Sequence, residues 1–576
     1  MGLEDVTSES RFKIVSNDYF DVQLIYNGNP ESLRQYEQYS VQIMNVSLAI
    51  IYIPISQVTP RLITQYGYNA IPKCYTLTDA QSLDESGVTR LRNTPALNLR
   101  GNGVLVGMID TGIDYTNPVF QRADGTSKIL SLWDQTIDSV DGYPKLDFPP
   151  LYGTEYTQEQ INQALRSPNP REIVPSVDEN GHGTKLAGIV AGSENRENNF
   201  SGVVPDADLI VVKLKQAKRN LTDYFFIPPT EPCYQENDII WGMQYLIETA
   251  RKLRRPISIC IGIGTSQGAH NNAGYLNNTV STVGDFPGIC ISTSGGNEGN
   301  ARRHFYSAIP INSPPVPIEL NVAENETGFT LEIWGEPPMT YSVDILSPTG
   351  EYVPTIFGKL EETRTIRFIF EQTLIYLDYI LIENETGNQV ILMRFQNPTP
   401  GTWRFQITGR GDLNGSVHSW LPSGNFILQD TYFIRSNPYT TLTSPGNSFV
   451  PLTIVAYNQA NGSLYINSGK GYSTSNLLNP DFAAPGVNVQ CPGPNNTFTT
   501  LTGTSAATAH TTGIAAMILE WGIVRNNYTN IDTIGIKKFL IRGARRNPQL
   551  LYPNRDWGYG MIDIFNTFNI FRTDVT

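Results

Sequence analysis

The stretch NGVLVGMIDTGID, residues 102–114, contains an almost purely apolar run that ends in an aspartate, Asp110. Three further runs share this character: DLIVVKLK (208–215), PISICIGIG (256–264) and GICISTSGGN (288–297). Continuous rather than alternating apolar runs are typical of strands that are buried on both faces of a parallel sheet. Residues 102–114 therefore predict a strand that is buried on both faces of the parallel sheet of an α/β domain.

Helix-like segments lie between these runs, among them HGTKLAGIVAGS (182–193) and ENDIIWGMQYLIETARKL (236–253). Strands that alternate with helices indicate a doubly wound α/β domain with a parallel sheet. The same rhythm returns after residue 440, in VPLTIVAYN (450–458) and in the long helical segment TSAATAHTTGIAAMILEWG (504–522). The α/β domain is thus predicted to consist of two parts, residues 81–312 and 435–576.

Two other patterns accompany the α/β domain. Residues 1–80 contain short strands such as FDVQLIYNG (20–28) and one short helix, TPRLITQYG (59–67), which predicts a small N-terminal α+β unit. Residues 313–434 contain short alternating strands separated by turns, which predicts an inserted all-β sandwich or jelly roll.

Charge and composition restrict the function. The net charge of −13 argues against nucleic acid or an anionic membrane as the main partner. The first ten residues, MGLEDVTSES, lack the basic and apolar regions of a secretory signal, and no apolar run is long enough to span a bilayer. The cysteines have no metal-ligand spacing, so we expect reduced thiols in the core; they are Cys74, Cys233, Cys260, Cys290 and Cys491.

Three segments carry residues suited to nucleophilic catalysis. Asp110 ends a buried strand, while His182 and Ser505 each open a predicted helix beside glycine. Strand ends and helix N-termini meet at one edge of an open α/β sheet, so the three side chains can lie together. A serine hydroxyl needs a base such as histidine to take its proton, and a buried carboxylate orients that histidine.

Asn297 lies in STSGGNEGN (292–300), on a predicted turn after a strand. Its amide, with the backbone N–H of Ser505, is suited to donate to a developing oxyanion. Each of these four residues alone also fits an ordinary turn or helix cap. Their joint occurrence in the order Asp, His, Ser is the observation that favours catalysis.

The segments MIDTGIDYTNPVF (108–120), NGHGTKLAGIVAG (180–192), SGGNEGN (294–300) and GTSAATAH (503–510) resemble the diagnostic blocks of the subtilisin-like serine proteases, or subtilases (peptidase S8). The resemblance implies a triad of Asp110, His182 and Ser505 with Asn297 at the oxyanion. It also implies a substrate cleft, lined by Cys260, Ile261, Gly262, Ser294, Gly295 and Gly296.

The sequence departs from the subtilase pattern at Val119, where many members carry a calcium-binding aspartate. We therefore expect no metal, and the resemblance implies no cofactor. The N-terminal unit resembles the subtilase prodomain, an inhibitor and folding chaperone that would remain bound after autocleavage. The cleavage is expected in the region formed by Leu77, Thr78, Asp79, Ala80 and Gln81.

The combination of a missing secretory signal, a prodomain and a β insertion resembles the organisation of the Csp germination subtilases of spore-forming clostridia. That likeness implies a jelly roll that rigidifies the protease, synthesis in the cytoplasm and packaging in the spore. It also implies a protein substrate, the precursor of a cortex-lytic enzyme. Two hypotheses stay open: an active endopeptidase, or a catalytically silent or permanently inhibited scaffold in germinant signalling.

Overall fold

The computed structural model describes residues 8–77, 85–139, 142–357 and 360–573 of the chain. Its N-terminal unit, residues 8–77, has an antiparallel sheet in the order β1-β3-β2, with a fourth strand that leaves this sheet. The elements of this unit are α1 (Ser8–Val15), β1 (Tyr19–Ile25), β2 (Ser40–Ile43), β3 (Leu48–Pro54), α2 (Leu62–Tyr66) and β4 (Cys74–Leu77).

The first part of the α/β unit alternates strands and helices. Its elements are α3 (Val88–Arg92), β5 (Leu105–Asp110), β6 (Ile129–Asp134), β7 (Thr154–Thr157), α4 (Gln158–Arg166), α5 (Pro170–Ile173), α6 (His182–Ala191), β8 (Asp208–Lys213), α7 (Arg219–Tyr224), β9 (Tyr234–Gln235), α8 (Glu236–Leu253), β10 (Ile257–Ile261), β11 (Ile263–Gly264), α9 (Tyr275–Gly284) and β12 (Ile289–Ser294).

A β-sandwich unit, residues 304–433, follows. Its strands are β13 (His304–Ile309), β14 (Val316–Val322), β15 (Gly328–Gly335), β16 (Thr340–Leu346), β17 (Tyr352–Ile356), β18 (Glu361–Arg367), β19 (Leu374–Ile380), β20 (Gln389–Gln396), β21 (Gly401–Arg410), β22 (Gly415–Trp420) and β23 (Tyr432–Phe433). They form two antiparallel sheets, β13-β22-β15-β20-β19-β18 and β17-β16-β21-β14-β23, around one apolar core. Because β13 pairs with β22, this unit begins earlier than the expected boundary at residue 313.

The chain then returns to the α/β unit. The elements of this second part are β24 (Leu452–Asn458), β25 (Ser463–Leu464), β26 (Phe482–Pro485), β27 (Val489–Pro492), β28 (Phe498–Leu501), α10 (Thr504–Leu519), α11 (Thr533–Gly543) and α12 (Ile564–Thr573).

Both parts of the α/β unit contribute to one central sheet, in the order β25-β24-β12-β10-β5-β8-β6-β7, with β26 beside β24. The inner pairs are parallel, which confirms the predicted doubly wound α/β fold. The edge strands β7 and β25 are antiparallel. In the case of β25, the connection from β24 is a short turn that leaves no room for a crossover helix.

The apolar run of β5 is explained by burial on both sides. Val106 and Met108 face the core that contains α6 and α10, whereas Leu105 and Ile109 face the core that contains α8 and α9. Helix α10 is buried along its whole length, which its small and apolar residues permit. This packing brings the end of β5 and the first turns of α6 and α10 to one edge of the sheet.

Candidate active site

Asp110 is the last residue of β5 and is almost completely buried. Its Oδ1 accepts hydrogen bonds from the backbone N–H of Thr111 at 2.8 Å and from Nδ1 of His182 at 2.7 Å. Its Oδ2 is buried without a hydrogen-bond partner among the described residues. The position in the middle of the sheet thus presents a desolvated carboxylate to the histidine.

His182 is the first residue of α6 and is 4% exposed. Because the Asp110 carboxylate only accepts, the bond between them places the proton of the neutral ring on Nδ1. The lone pair of Nε2 then faces Ser505 Oγ, which lies 3.2 Å away. This tautomer is the one in which the histidine can take the serine proton.

Ser505 lies in the first turn of α10 and is buried. Its backbone N–H belongs to the helix start, where donors have no acceptor within the helix. The structure therefore brings Asp110, His182 and Ser505 into one hydrogen-bonded chain, with the backbone N–H of the serine in the first turn of the helix.

Asn297 follows β12 and approaches the same helix start. Its Oδ1 accepts hydrogen bonds from the backbone N–H of Thr504 at 3.1 Å and from Thr504 Oγ1 at 3.2 Å. A backbone N–H can only donate, so Oδ1 faces Thr504 and the amide Nδ2 is left to donate elsewhere. Thr504 fixes this orientation, a role that the sequence does not predict.

Close backbone approach explains the glycines around the histidine. A Cβ on Gly183 would lie 2.2 Å from the carbonyl oxygen of Gly112 and 3.2 Å from Cβ of Asp110. Gly112 itself has a positive φ of 122°. A side chain at position 183 would therefore push α6 away from β5.

The groove beside Ser505 already contains a strand of the same chain. Strand β4 pairs antiparallel with β11 on one side, where Leu77 faces Ile263, and with β9 on the other, where Cys74 faces Gln235. Gly262, which precedes β11, lies next to Ser505, since a Cβ there would be 3.3 Å from the serine Cβ. An extended peptide thus runs toward the serine between β11 and β9.

The structure does not place two of the expected cleft residues, Cys260 and Ile261, at the groove. Cys260 and Ile261 lie in β10, paired with β5 and β12 in the middle of the sheet, and their side chains enter the two opposite cores. Burial also raises the pKa of the Cys260 thiol to about 12. The groove edge begins at Gly262 and continues into β11, because the chain leaves the central sheet there.

The segment Ser294–Gly296 forms hydrogen bonds with neighbouring segments of the protein. Ser294 Oγ lies 2.6 Å from Thr504 Oγ1, and the carbonyls of Gly295 and Gly296 accept from the N–H groups of Thr443 and Gly469. The side chain of Thr443 fills the space in which a Cβ of Gly296 would lie. The structure therefore places this segment beside the helix start, hydrogen-bonded to α10 and to the segments that carry Thr443 and Gly469.

Strand β9, residues Tyr234–Gln235, forms the side of the groove opposite β11, and the sequence did not predict it. Burial and the negative charge of Asp110 raise the pKa of Tyr234, so its hydroxyl stays protonated. A strand of two residues gives too short a pattern to be recognised from sequence.

The expected autocleavage region lies mostly outside the described residues. Leu77 is the last residue of β4, while Thr78, Asp79, Ala80 and Gln81 are not described. In the described part of the chain, no group of three or more His, Cys, Asp or Glu side chains is arranged to hold a metal. Val119, at the place of the family's calcium ligand, is buried in the core.

Comparison with known proteins decides the family. The model of the subtilase family matches residues 101–308 and 396–560, which include every residue of the hydrogen-bonded chain. The chain belongs to the subtilase family. This subtilase is 23% identical to the subtilisin-like protease SBT1.9 of Arabidopsis thaliana over 479 residues, covering 75% of this chain and 59% of that protein.

Two further likenesses differ in extent. An intracellular serine protease of Paenibacillus polymyxa is 31% identical over 115 residues, which are 20% of this subtilase and 24% of that protein. The solved structure of the Clostridium perfringens CspB protease matches 85% of this chain and 97% of its own, with 27% identity and a TM-score of 0.75. This subtilase thus spans less than two thirds of the length of each of the two sequence relatives.

None of the helices in the described ranges combines the length and apolarity that crossing a bilayer requires. All five cysteines are unbridged and buried, as the sequence predicts.

Proposed function

We propose that this subtilase is a serine endopeptidase. The hydrogen-bonded chain from Asp110 Oδ1 through His182 to Ser505 Oγ is the observation that carries the proposal. Ser505 Oγ attacks the peptide carbonyl carbon while His182 Nε2 takes its proton and later gives it to the leaving amine. Asp110 keeps the ring in the required tautomer and stabilises the imidazolium.

Asn297 Nδ2 and the backbone N–H of Ser505 are the proposed donors to the oxyanion. The bonds from Thr504 fix Asn297 before substrate arrives, so the donor needs no reorientation during the reaction. The positive end of the α10 dipole acts on the same oxygen.

The proposed substrate mode is strand addition. Strand β4 shows that an extended peptide pairs with β11 and β9 and leads toward Ser505. Backbone pairing of this kind gives affinity with little dependence on side chains. Gly262 allows the substrate backbone to approach the serine.

A fluorophosphonate probe tests the proposed nucleophile. It forms a covalent bond with an activated serine, so we expect one adduct on wild-type protein, located at Ser505 by peptide mapping. The Ser505→Ala and His182→Ala proteins should remain unlabelled, and the same two should fail to cleave a denatured protein substrate. Equal labelling of wild type and Ser505→Ala would contradict the proposal.

We propose further that residues 1–80 are a prodomain, cleaved within Leu77–Gln81 and retained afterwards. The position of β4 in the groove supports this, because a product strand would lie there. Substrate binding then requires β4 to leave the groove while the rest of the unit stays attached. A buried polar network supports retention: Lys218 Nζ donates to Asp21 Oδ1, while amides of Gln235 and Asn237 donate to Asp21 Oδ2 at 3.0 and 3.1 Å.

An apolar core shared by all three units also supports retention. It combines Phe20 and Ile51 of the N-terminal unit, Phe225 of the α/β unit, and Trp334 and Leu392 of the β-sandwich unit. Tyr68 of the N-terminal unit also donates to Glu332 of the β-sandwich at 2.6 Å. Release of the N-terminal unit would expose this core to water.

We assign residues 304–433 to a jelly roll that rigidifies the catalytic domain, because β13 extends this unit beyond the expected boundary at residue 313. The α/β residues on either side of it, from residue 81 onward, form the catalytic domain. From the resemblance to the Csp germination subtilases, we propose a role in spore germination, with a cortex-hydrolase precursor as the protein substrate and packaging in the spore. The likeness to the solved CspB protease, at 27% identity and a TM-score of 0.75, supports the assignment to that group. Incubation of the purified protease with such a precursor, next to Ser505→Ala, tests this finer assignment by the appearance of one cleaved product.

A second candidate function is a permanently inhibited protein that acts by binding. The observation that favours it is the same strand β4, which fills the groove between β11 and β9. Under this alternative the wild-type chain stays uncut and does not react with the fluorophosphonate.

A further inference from the structure

Asp178 is a carboxylate outside the proposed triad that binds the start of the histidine helix. Its Oδ1 accepts from the backbone N–H of Gly181 at 2.8 Å, and its Oδ2 accepts from the N–H and Oγ1 of Thr184 at 2.8 and 2.6 Å. Gly181 and Thr184 flank His182. The carboxylate thus fixes the backbone on both sides of the proposed base.

The same carboxylate also binds the segment that carries Asp110. Thr111, which follows Asp110, donates from Oγ1 to Asp178 Oδ1 at 2.7 Å. The Thr111 hydroxyl accepts in turn from the backbone N–H of Gly183 at 2.9 Å. Asp178 and Thr111 therefore join the end of β5 to the start of α6 independently of the bond between Asp110 and His182.

The loop that carries Asp178 is itself anchored to the sheet. Ser176 Oγ donates to Asp134 Oδ2 at 2.5 Å, and Lys213 Nζ donates to the carbonyl of Val177 at 2.5 Å. Asp134 ends β6 and Lys213 ends β8, so both anchors come from strands on the same side of β5. Because its loop is held in this way, the carboxylate keeps the start of the histidine helix at a fixed position relative to the sheet edge.

An ordinary helix cap is the simpler explanation of such a carboxylate. The N-cap residue of α6 is Gly181, which has no side chain, and Asp178 does supply the missing acceptor. A cap, however, bonds only to its own helix. The bond from Thr111 crosses to β5, and this crossing bond has no role in capping.

We propose that Asp178 is a positioning residue of this protease: it fixes the separation of Asp110 and His182, and its charge favours the imidazolium. The proposal rests on the proposed endopeptidase function. It predicts that loss of the carboxylate lowers turnover rather than substrate binding, since Asp178 contacts the backbone around the base and not the groove.

The test compares Asp178→Asn with Asp532→Asn. Asp532 caps α11 by accepting from the N–H of Gly535 at 2.6 Å and lies outside the proposed site, so it controls for the loss of a capping carboxylate. We expect Asp178→Asn to lower kcat by about ten- to hundredfold with little change in KM. The acidic limb of its pH–rate profile should also move to lower pH, because a negative charge that favours the imidazolium is gone.

Equal kinetics and equal pH profiles of the two variants would overturn the proposal. Should Asp178→Asn not fold, as judged by circular dichroism, Thr111→Val takes its place. It removes the crossing bond and the acceptor of the Gly183 N–H but keeps the bonds from Gly181 and Thr184 to Asp178. If wild type is inactive, the proposed function fails first. Proton NMR of the His182 Nδ1–H in the full chain then decides: a change in Asp178→Asn alone supports positioning, and no change in either variant overturns it.

Discussion

At the scale of single residues, the chemistry of the site follows from which atoms can donate. Asn297 illustrates this, because the N–H of Thr504 forces the amide oxygen to one side and leaves Nδ2 on the other. Asp110 does the same for His182 by fixing the proton on Nδ1. Both orientations exist before any substrate binds, which is the condition for strong electrostatic catalysis.

Replacement of Asn297 tests the oxyanion donor. Asn297→Asp keeps an oxygen toward Thr504 but replaces the donor by an acceptor, and Asn297→Ala removes both. We expect each to lower kcat by about 100- to 1000-fold with KM little changed. The measurement is steady-state hydrolysis of a peptide substrate, and a loss confined to KM in both variants would contradict the assignment.

His510, on the same helix as Ser505, gives a pH-dependent prediction for stability. It is fully buried beside Ser86 Oγ at 2.5 Å, and burial lowers its pKa from 6.5 to about 3. The unfolded chain therefore binds a proton that the folded chain does not. The contribution of His510 to the free energy of unfolding is fully present above about pH 7 and is lost as the pH falls from 6.5 toward 3. At pH 5 the loss from this one side chain is about 2 kcal/mol.

Thermal or urea unfolding of wild type and His510→Gln between pH 7 and pH 5 measures this contribution. We expect the variant to lose about 2 kcal/mol less than wild type over this interval, whatever its stability at pH 7. Parallel curves for the two proteins would show that His510 does not titrate between the folded and unfolded states.

At the scale of elements, the site depends on how closely α6 approaches the end of β5. The strand is central, the helix begins directly with His182, and Gly183 has no side chain that would press against the carbonyl of Gly112. The histidine reaches the aspartate because two backbones touch.

Gly183→Ala tests this contact. The added Cβ would lie 2.2 Å from the carbonyl oxygen of Gly112, so α6 must move. We expect a loss of about a hundredfold in kcat, as for a displacement of about 1 Å at a reacting group. Gly242→Ala in α8 is the matched control: the atoms nearest to its Cβ would belong to the side chains of Val212 and Ile109, at 3.3 and 3.4 Å, which a small shift relieves, so activity should change far less.

The predictable part of the site was carried by local patterns. Asp110, His182 and Ser505 each end or begin a strongly patterned element, and the ends of such elements meet in an open α/β sheet. Cys260 and Ile261 were misplaced because nothing in PISICIGIG marks the residue at which the chain leaves the central sheet. Strand β9 and Asp178 were missed because their importance lies in contacts with segments that are distant in sequence.

At the scale of the whole molecule, three units share one core. The N-terminal unit packs against the α/β unit and the β-sandwich at once, and β4 continues from it into the groove. The fold class and the order of the units followed from the change in hydrophobic rhythm along the chain. The shared core could not be predicted from that pattern, because its residues come from all three units and are distant in sequence.

Asp21→Ala tests retention of the N-terminal unit. It leaves Lys218 buried without its carboxylate, in a site where burial already lowers the pKa of that lysine. Removal of one partner of a buried pair costs about 3–5 kcal/mol. We expect the cleaved N-terminal unit to separate on size-exclusion chromatography in this variant and to co-elute in wild type.

The control for this experiment is Glu31→Ala, which breaks the exposed pair of Glu31 and Arg34 in the same unit. An exposed pair contributes little, so this variant should behave as wild type. Co-elution in Asp21→Ala as well would show that the buried network is not needed for retention.

The most direct test of the central claim is the intact mass of purified wild type beside Ser505→Ala. Self-cleavage by Ser505 predicts two chains for wild type, with the break between Leu77 and Gln81, and a single chain of 64.0 kDa for the variant. One uncut chain in both proteins, or the same break in both, would contradict an active Ser505 nucleophile.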